Sequence, residues 1–326
     1  MTVQFRAIAL AVLCSFALAN SAQAQKADYP AKPVKIVLGY AAGGFTDVMS
    51  RLLAQRLSVT LGQPVVVENR PSAGAVVATD MVAKAPPDGY LLLVADTGSL
   101  AVTPALIDNL PYDIVKDLAP ITYTGEIPLF LVTNSSVPAS TFAELIALIK
   151  AKPGQLNFAA PGTGSIHHLN VEALKSAFGL DVLVVQYKGA SPSVQALLGG
   201  EVAMTFSAYP ALLAHLNSGK IRVLAVNTPK RANLSPNTPT IAEMGVPDFN
   251  YPAGVGVLAP AGTPAPIIAR LAKEVIAAMH YGDNPKRLTE LGFETAGTTP
   301  EGFAARIKSD LAKYARIVKA SGAKAN

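Results

Sequence analysis

Two short glycine-rich stretches hold the residues best suited to chemistry. The first, Tyr40-Ala41-Ala42-Gly43-Gly44-Phe45-Thr46-Asp47, lies between an apolar run and a helical pattern. Adjacent glycines let the backbone turn several amides toward one point, and the helix N-terminus behind them adds unpaired N–H groups and partial positive charge. Such a turn favours an anion. Taken alone it is equally well a tight turn in which Thr46 or Asp47 caps the helix. The second stretch, Pro161-Gly162-Thr163-Gly164-Ser165, repeats the arrangement before a helix carrying His167 and His168. Two such helix ends facing each other across a cleft would suit a ligand with two carboxylates. Neither stretch is a P-loop, which needs a following Lys-Ser/Thr, and neither is a G-x-G-x-x-G dinucleotide turn. His168 and Glu172 have the i,i+4 spacing of a metal pair, but no third ligand is near, so no metal is expected and His168 reads as a packing residue. Ser165 beside the two histidines is the best hydrolase candidate. Neighbours at a helix start do not aim their side chains at each other, which counts against it.

The elements that must position these turns are legible from periodicity. Residues 34–38 form a buried strand ending at Gly39, and Val48, Leu52, Leu53 and Leu57 then recur at helical spacing. Strands follow at 65–67 and 90–94, with a helix over 75–85 between them. A second series begins near Leu129, with a capping box at Thr141 to Glu144 opening a helix through Lys150. Strands at 157–159, 182–186, 202–206 and 221–226 alternate with helices at 165–178, 193–198 and 211–217. A Pro-rich irregular stretch, 229–252, leads through a strand at 255–258 to helices over 264–279 and 303–318. This alternation is the pattern of α/β units on parallel sheets. Some 300 mature residues exceed what one growing core usually holds, so two lobes, each a sheet flanked by helices, are expected. Lobe 1 comprises 25–124 plus 251–326 and lobe 2 comprises 125–250, with crossovers near 121–133 and 247–258.

Composition narrows the function further. Arg6, the apolar stretch Ala7 to Leu18, and Ala22-Gln23-Ala24 make an export signal covering 1–24, too short to span a bilayer. The single cysteine, Cys14, lies inside it. The mature chain therefore has no disulfide, thiol nucleophile or cysteine-bound metal. The net charge of +5 is spread along the chain and forms no nucleic-acid stripe.

Seven segments together carry a resemblance: Tyr40 to Asp47 (YAAGGFTD), Leu61 to Pro71 (LGQPVVVENRP), Pro87 to Tyr90 (PDGY), Gly162 to Leu169 (GTGSIHHL), Tyr187 to Gly189 (YKG), Leu197 to Val202 (LLGGEV) and Pro260 to Pro264 (PAGTP). In this order they resemble the Bug/TctC family, the substrate-binding proteins of tripartite tricarboxylate transporters, over essentially the whole mature chain. The resemblance implies a periplasmic, monomeric Venus-flytrap protein that closes on a small di- or tricarboxylate and passes it to the membrane permease subunits. It implies no enzyme and no cofactor. A ligand-sensing module for a membrane receptor is the alternative partner reading, and a serine hydrolase the weaker one. The implied ligand residues are Tyr40, Ala41, Gly43, Gly44, Phe45, Thr46 and Asp47 on one wall, and Thr163, Gly164, Ser165 and His168 on the other. Thr97, Gly98, Tyr187, Lys188, Ser207, Ala208 and Tyr209 are expected to contribute from neighbouring strand ends. Family members commonly carry an Asp near position 207. Ser207 stands here instead, which puts recognition of a ligand amino group in doubt. Phe45, Tyr187 and Tyr209 would offer flat surfaces to an aromatic acid.

Overall fold

The computed structural model describes residues 29–163 and 165–321. The export signal at 1–24 and Gly164 of the second turn lie outside the described residues.

The short β-rich runs build two separate sheets. In the first, β1 (Val34–Leu38) pairs in parallel with β2 (Val65–Asn69) and with β3 (Leu91–Asp96). β1 is buried at four of its five positions, as expected of an apolar run covered on both faces. Two further strands, β4 (Leu118–Ile127) and β10 (Ala253–Pro260), and the short β11 (Glu294–Thr295) complete six, in the order β11-β4-β10-β3-β1-β2. The second sheet holds β5 (Leu129–Asn134), β6 (Asn157–Ala160), β7 (Leu183–Gln186), β8 (Met204–Ala208) and β9 (Ile221–Val226), in the order β7-β6-β8-β5-β9. Helices α1 (Phe45–Leu61), α2 (Val76–Ala83), α6 (Ala265–Met279), α7 (Asn284–Glu290) and α8 (Pro300–Ser321) accompany the first sheet. Helices α3 (Phe142–Ala151), α4 (Ile166–Phe178) and α5 (Ala190–Gly199) accompany the second.

Neither sheet is purely parallel, which corrects the sequence expectation. β10 runs antiparallel to both β3 and β4, and β5 runs antiparallel to both β8 and β9. β5 and β10 are the strands that arrive from the other sheet. They enter without a right-handed βαβ crossover, so nothing forces them parallel. β4 is absent from the expected alternation, because Pro120 and Gly125 interrupt its pattern and sit beside its two register shifts against β10. β10 is buried at all eight positions, and its glycines are the complement of bulky neighbours: a Cβ at Gly256 would collide with the Phe303 ring. The expected helix over 211–217 shrinks to one turn, Tyr209–Leu212. Leu212 is buried but Leu213 is exposed, so little apolar face holds a longer helix against the sheet.

The chain crosses between the sheets twice. Pro128 alone separates β4 from β5, and residues 227–252 lead from β9 back to β10. Asn227, fully buried, ties the crossings together. Its side-chain amide donates to Tyr251 O at 2.6 Å and to Asn170 Oδ1 at 3.0 Å, while its Oδ1 accepts from Leu129 N–H at 2.8 Å. Asn170 sits on α4, a helix with eight buried residues, and also donates to Tyr251 O. One amide pair thus clamps both inter-sheet segments to one helix.

Candidate ligand-binding cleft

The first glycine-rich turn is held by its own side chains. Gly44 caps α1 in extended conformation, and no side chain bonds to the cap. The first-turn amides of Phe45 and Thr46 take no partner among the described residues, since the chain's own bonds begin with Asp47 N–H to Gly44 O. Asp47 is buried and points back into the turn. Its carboxylate accepts from Gly43 N–H at 3.1 Å, from Arg51 Nη2 at 2.9 Å and from Asn69 Nδ2 at 3.0 Å, and Asn69 also donates to Tyr40 O. Burial opposes the Asp47 charge, but the Arg51, Gly43 and Asn69 donors outweigh it and hold its pKa below the ordinary carboxylate value. Asp47 and the Gly43 amide are therefore committed to bracing the loop, a correction to the expectation that both meet ligand. Gly43 itself has φ 88°, which an L side chain rarely adopts.

The second turn is braced more lightly. Ser165 caps α4: its Oγ accepts from His168 N–H at 3.2 Å, and its own amide donates to Gly162 O. The start of α5, not the second turn, comes nearest the first turn. A Cβ added to Gly189 would stand 3.5 Å from Ala41 Cβ, and one added to Gly43 would stand 3.5 Å from Ser191 Oγ.

Beside that approach lies a hollow between the sheets. Tyr40, Ala41, Gly44, Phe45 and Thr46 line it from one side, and Pro161, His167, Ala190, Ser191, Ala208 and Ala211 from the other. Ile127, Leu129, Ala253 and Val255 form the floor where the crossing strands meet. A second hollow adjoins it across Tyr40 and Pro161 and is lined by Thr163, Tyr187 and Lys188. Of the expected residues, Tyr40, Ala41, Gly44, Phe45, Thr46 and Ala208 line the first hollow, Thr163, Tyr187 and Lys188 line the second, and Ser165 lines neither.

Five expected residues lie elsewhere, each for a plain geometric reason. Thr97 is buried and exchanges hydrogen bonds with the backbone of Gly254, fastening β3 to β10, and Gly98 begins a buried helical turn. Side chains alternate along β8, so Ala208 reaches the hollow while Ser207 faces the opposite side. The ring of Tyr209 packs on Phe130, 6.1 Å between centroids, and not on the hollow. Around α4 one residue is a rotation of about 100°. His167 therefore lines the hollow, and His168, expected there, is buried with its Nε2 3.9 Å from Glu172 Oε1.

Two residues that the sequence reading did not single out stand on the wall. Asp96 ends β3, one position before the expected Thr97-Gly98, at the carboxyl end of a strand where α/β folds place ligands. Tyr40 Oη donates to Asp96 Oδ1 at 2.8 Å. Burial raises the pKa of both Asp96 and Tyr40, so the tyrosine keeps its proton for that bond. Burial also pulls His167 down to about 4, leaving a neutral imidazole. Phe45 lines the hollow with its ring 5.0 Å from that of Phe293, so of the three expected aromatic surfaces it alone faces this space.

The model of the tripartite tricarboxylate transporter family receptor, TctC, matches residues 49–323. The chain belongs to this family. BugT of Bordetella pertussis is 38% identical over 97% of this chain and 98% of its own length. Among solved structures, R. palustris Rpa4515 with adipate is similar with a TM-score of 0.87 and 33% identity, covering 90% of this chain and 98% of that one. MatC from Rhodopseudomonas palustris with bound malate follows with a TM-score of 0.85 and 31% identity, over 89% and 100%. TctC-family members are two-lobed solute-binding proteins of the periplasmic type, not enzymes, and this chain is one of them. The hydrolase alternative falls with that assignment. Ser165, its would-be nucleophile, spends its hydroxyl on the helix cap.

Proposed function

We propose that this TctC-family protein, exported with cleavage after Ala24, captures a small carboxylate between its lobes and delivers it to the permease subunits of a tripartite tricarboxylate transporter. One observation carries the reading: helix N-termini from both lobes open onto the same inter-sheet hollow, and no Lys or Arg lines it. An anion held there is met by main-chain amides and helix-end partial charge, with the free amides of Phe45 and Thr46 on one wall. Thr46 lines the same wall, and Ala190 and Ser191 at the start of α5 supply the facing edge. Support comes from the relatives, since Rpa4515 was solved with adipate and MatC with malate. Contacts to both walls exist only when the lobes are together, so ligand stabilises the closed arrangement. The test is calorimetric titration of the mature protein with aliphatic and aromatic mono-, di- and tricarboxylates, alongside small-angle scattering. Binding of at least one acid with a decrease in radius of gyration is the expected result. Failure of every acid to bind removes the reading.

A further inference from the structure

The hollow contains polar groups that carboxylate capture by backbone amides does not use. Asp96 is only 5% exposed, and its Oδ1 alone accepts three hydrogen bonds: from Tyr40 Oη at 2.8 Å, Ser99 N–H at 2.9 Å and Ser99 Oγ at 3.0 Å. Its Oδ2 takes no partner among the described residues, and the residue lines the hollow. His167 lines the same space from the other lobe, and neither of its buried ring nitrogens has a partner among the described residues. Buried polar groups are ordinarily paired, and leaving one unpaired is costly. The unpaired His167 ring, facing a cavity that the Asp96 carboxylate lines from the opposite lobe, is therefore best explained by what the cavity receives.

We propose that Asp96 and His167 form a specificity pair that holds a hydrogen-bond-donating head group of the ligand, a hydroxyl or an ammonium, separate from the carboxylate bound at the helix N-termini. This rests on the reading of the protein as a carboxylate binder and names the rest of its ligand. The chemistry follows from the donor inventory. Three donors on Oδ1 favour the carboxylate form of Asp96 against the burial that raises its pKa, and the Oδ2 of that form only accepts; a neutral imidazole offers one N–H and one bare nitrogen. A hydroxyl satisfies both by donating to Asp96 and accepting from His167, and an ammonium donates to both. A second ionised carboxylate has no proton to give Asp96 and meets a like charge in a hollow lined by no Lys or Arg. With Ser207 turned to the far side of β8, Asp96 supplies from the other lobe the carboxylate that an amino group would require.

The test uses acids built on aliphatic chains of two to eight carbons and on a benzene ring. Each carries one carboxylate and, at the other end, a hydroxyl, an ammonium, a methyl or a second carboxylate. Calorimetry on the wild type is expected to rank the hydroxyl or ammonium member about tenfold or more above its methyl and dicarboxylate counterparts, the discrimination that a site with buried polar groups imposes. Asp96→Asn keeps an oxygen for Tyr40 and Ser99, and is expected to abolish the ammonium preference and bring the dicarboxylate level with it. His167→Leu is expected to lose the hydroxyl preference without lowering the melting temperature, since it removes an unpaired buried group. A structural role for His167 would instead lower it. A wild type that prefers the dicarboxylate, with a ranking unmoved by Asp96→Asn, overturns the pair and leaves carboxylate capture standing. If no acid of any kind binds, both readings fall.

Discussion

The two glycine-rich turns occupy equivalent places, each between a strand and a helix on one wall of the hollow, yet they are secured differently. At Tyr40 to Asp47 a buried carboxylate reaches back to the Gly43 amide and is itself gripped by Arg51 and Asn69. At Pro161 to Ser165 a single hydroxyl caps the helix, and His167 stands beside it with unpaired nitrogens. The first turn has its polar groups satisfied before any ligand arrives, so its free amides are preorganised. The second leaves polar groups for the ligand to satisfy. Two glycine-rich turns at helix starts can thus be alike in place and unlike in how their polar groups are satisfied.

The sharpest way to break this contrast is Asp47→Ala. It leaves the Gly43 and Asn69 amides and the Arg51 guanidinium without their shared acceptor, and losing one partner of such a buried network costs about 2–4 kcal/mol. Chemical denaturation would report that loss, and calorimetry an affinity at least about tenfold weaker for the best-bound acid, because the turn is no longer preorganised. Unchanged affinity in a protein of unchanged stability would mean that the brace has no part in binding.

Acid titration separates the two turns next. His167 has its pKa pulled down by burial to about 4 from an unfolded value near 6.5. Between those limits the unfolded chain binds a proton that the folded one refuses, so stability falls as pH drops through that window. His168, also lowered chiefly by burial, acts in the same direction. Asp47 is depressed instead, so its contribution persists through that window and is lost only as pH falls below about 3.8. The expected stability profile has two steps, the upper one on the order of 2 kcal/mol. In His167→Leu the upper step shrinks and the lower one stays. An upper step of full size in that variant would place the titration elsewhere.

How much of this was open to reading differs by element, for physical reasons. The strand 221–226 was read to the residue, because five of its six positions are apolar and leave a composition signal. β4 was missed because Pro120 and Gly125 look like breaks, and only the bulges opposite β10 make them compatible with a strand. Both turns were found because glycine repeats before a helical pattern are local. Asp96 and His167 were not, since each is one position from an expected residue, and the pleat of a strand or the rotation of a helix decides which neighbour faces inward. The bracing role of Asp47 was not legible because its donors, Gly43, Arg51 and Asn69, become a network only after β2 docks beside β1.

The smallest expected effect is at the second turn's own brace. Ser165→Ala removes the acceptor for His168 N–H, and loss of a serine cap costs about 1 kcal/mol. The Ser165 amide still donates to Gly162 O, so the turn keeps its shape. Affinity should then stay within about twofold of wild type, below the roughly 1.4 kcal/mol that a tenfold change requires. That pairing of a measurable melting shift with near-constant affinity is what distinguishes a cap from a ligand contact. A tenfold loss of affinity at constant stability would mean that the hydroxyl leaves the cap to meet the ligand, and the second turn would then be a binding wall of the same kind as the first.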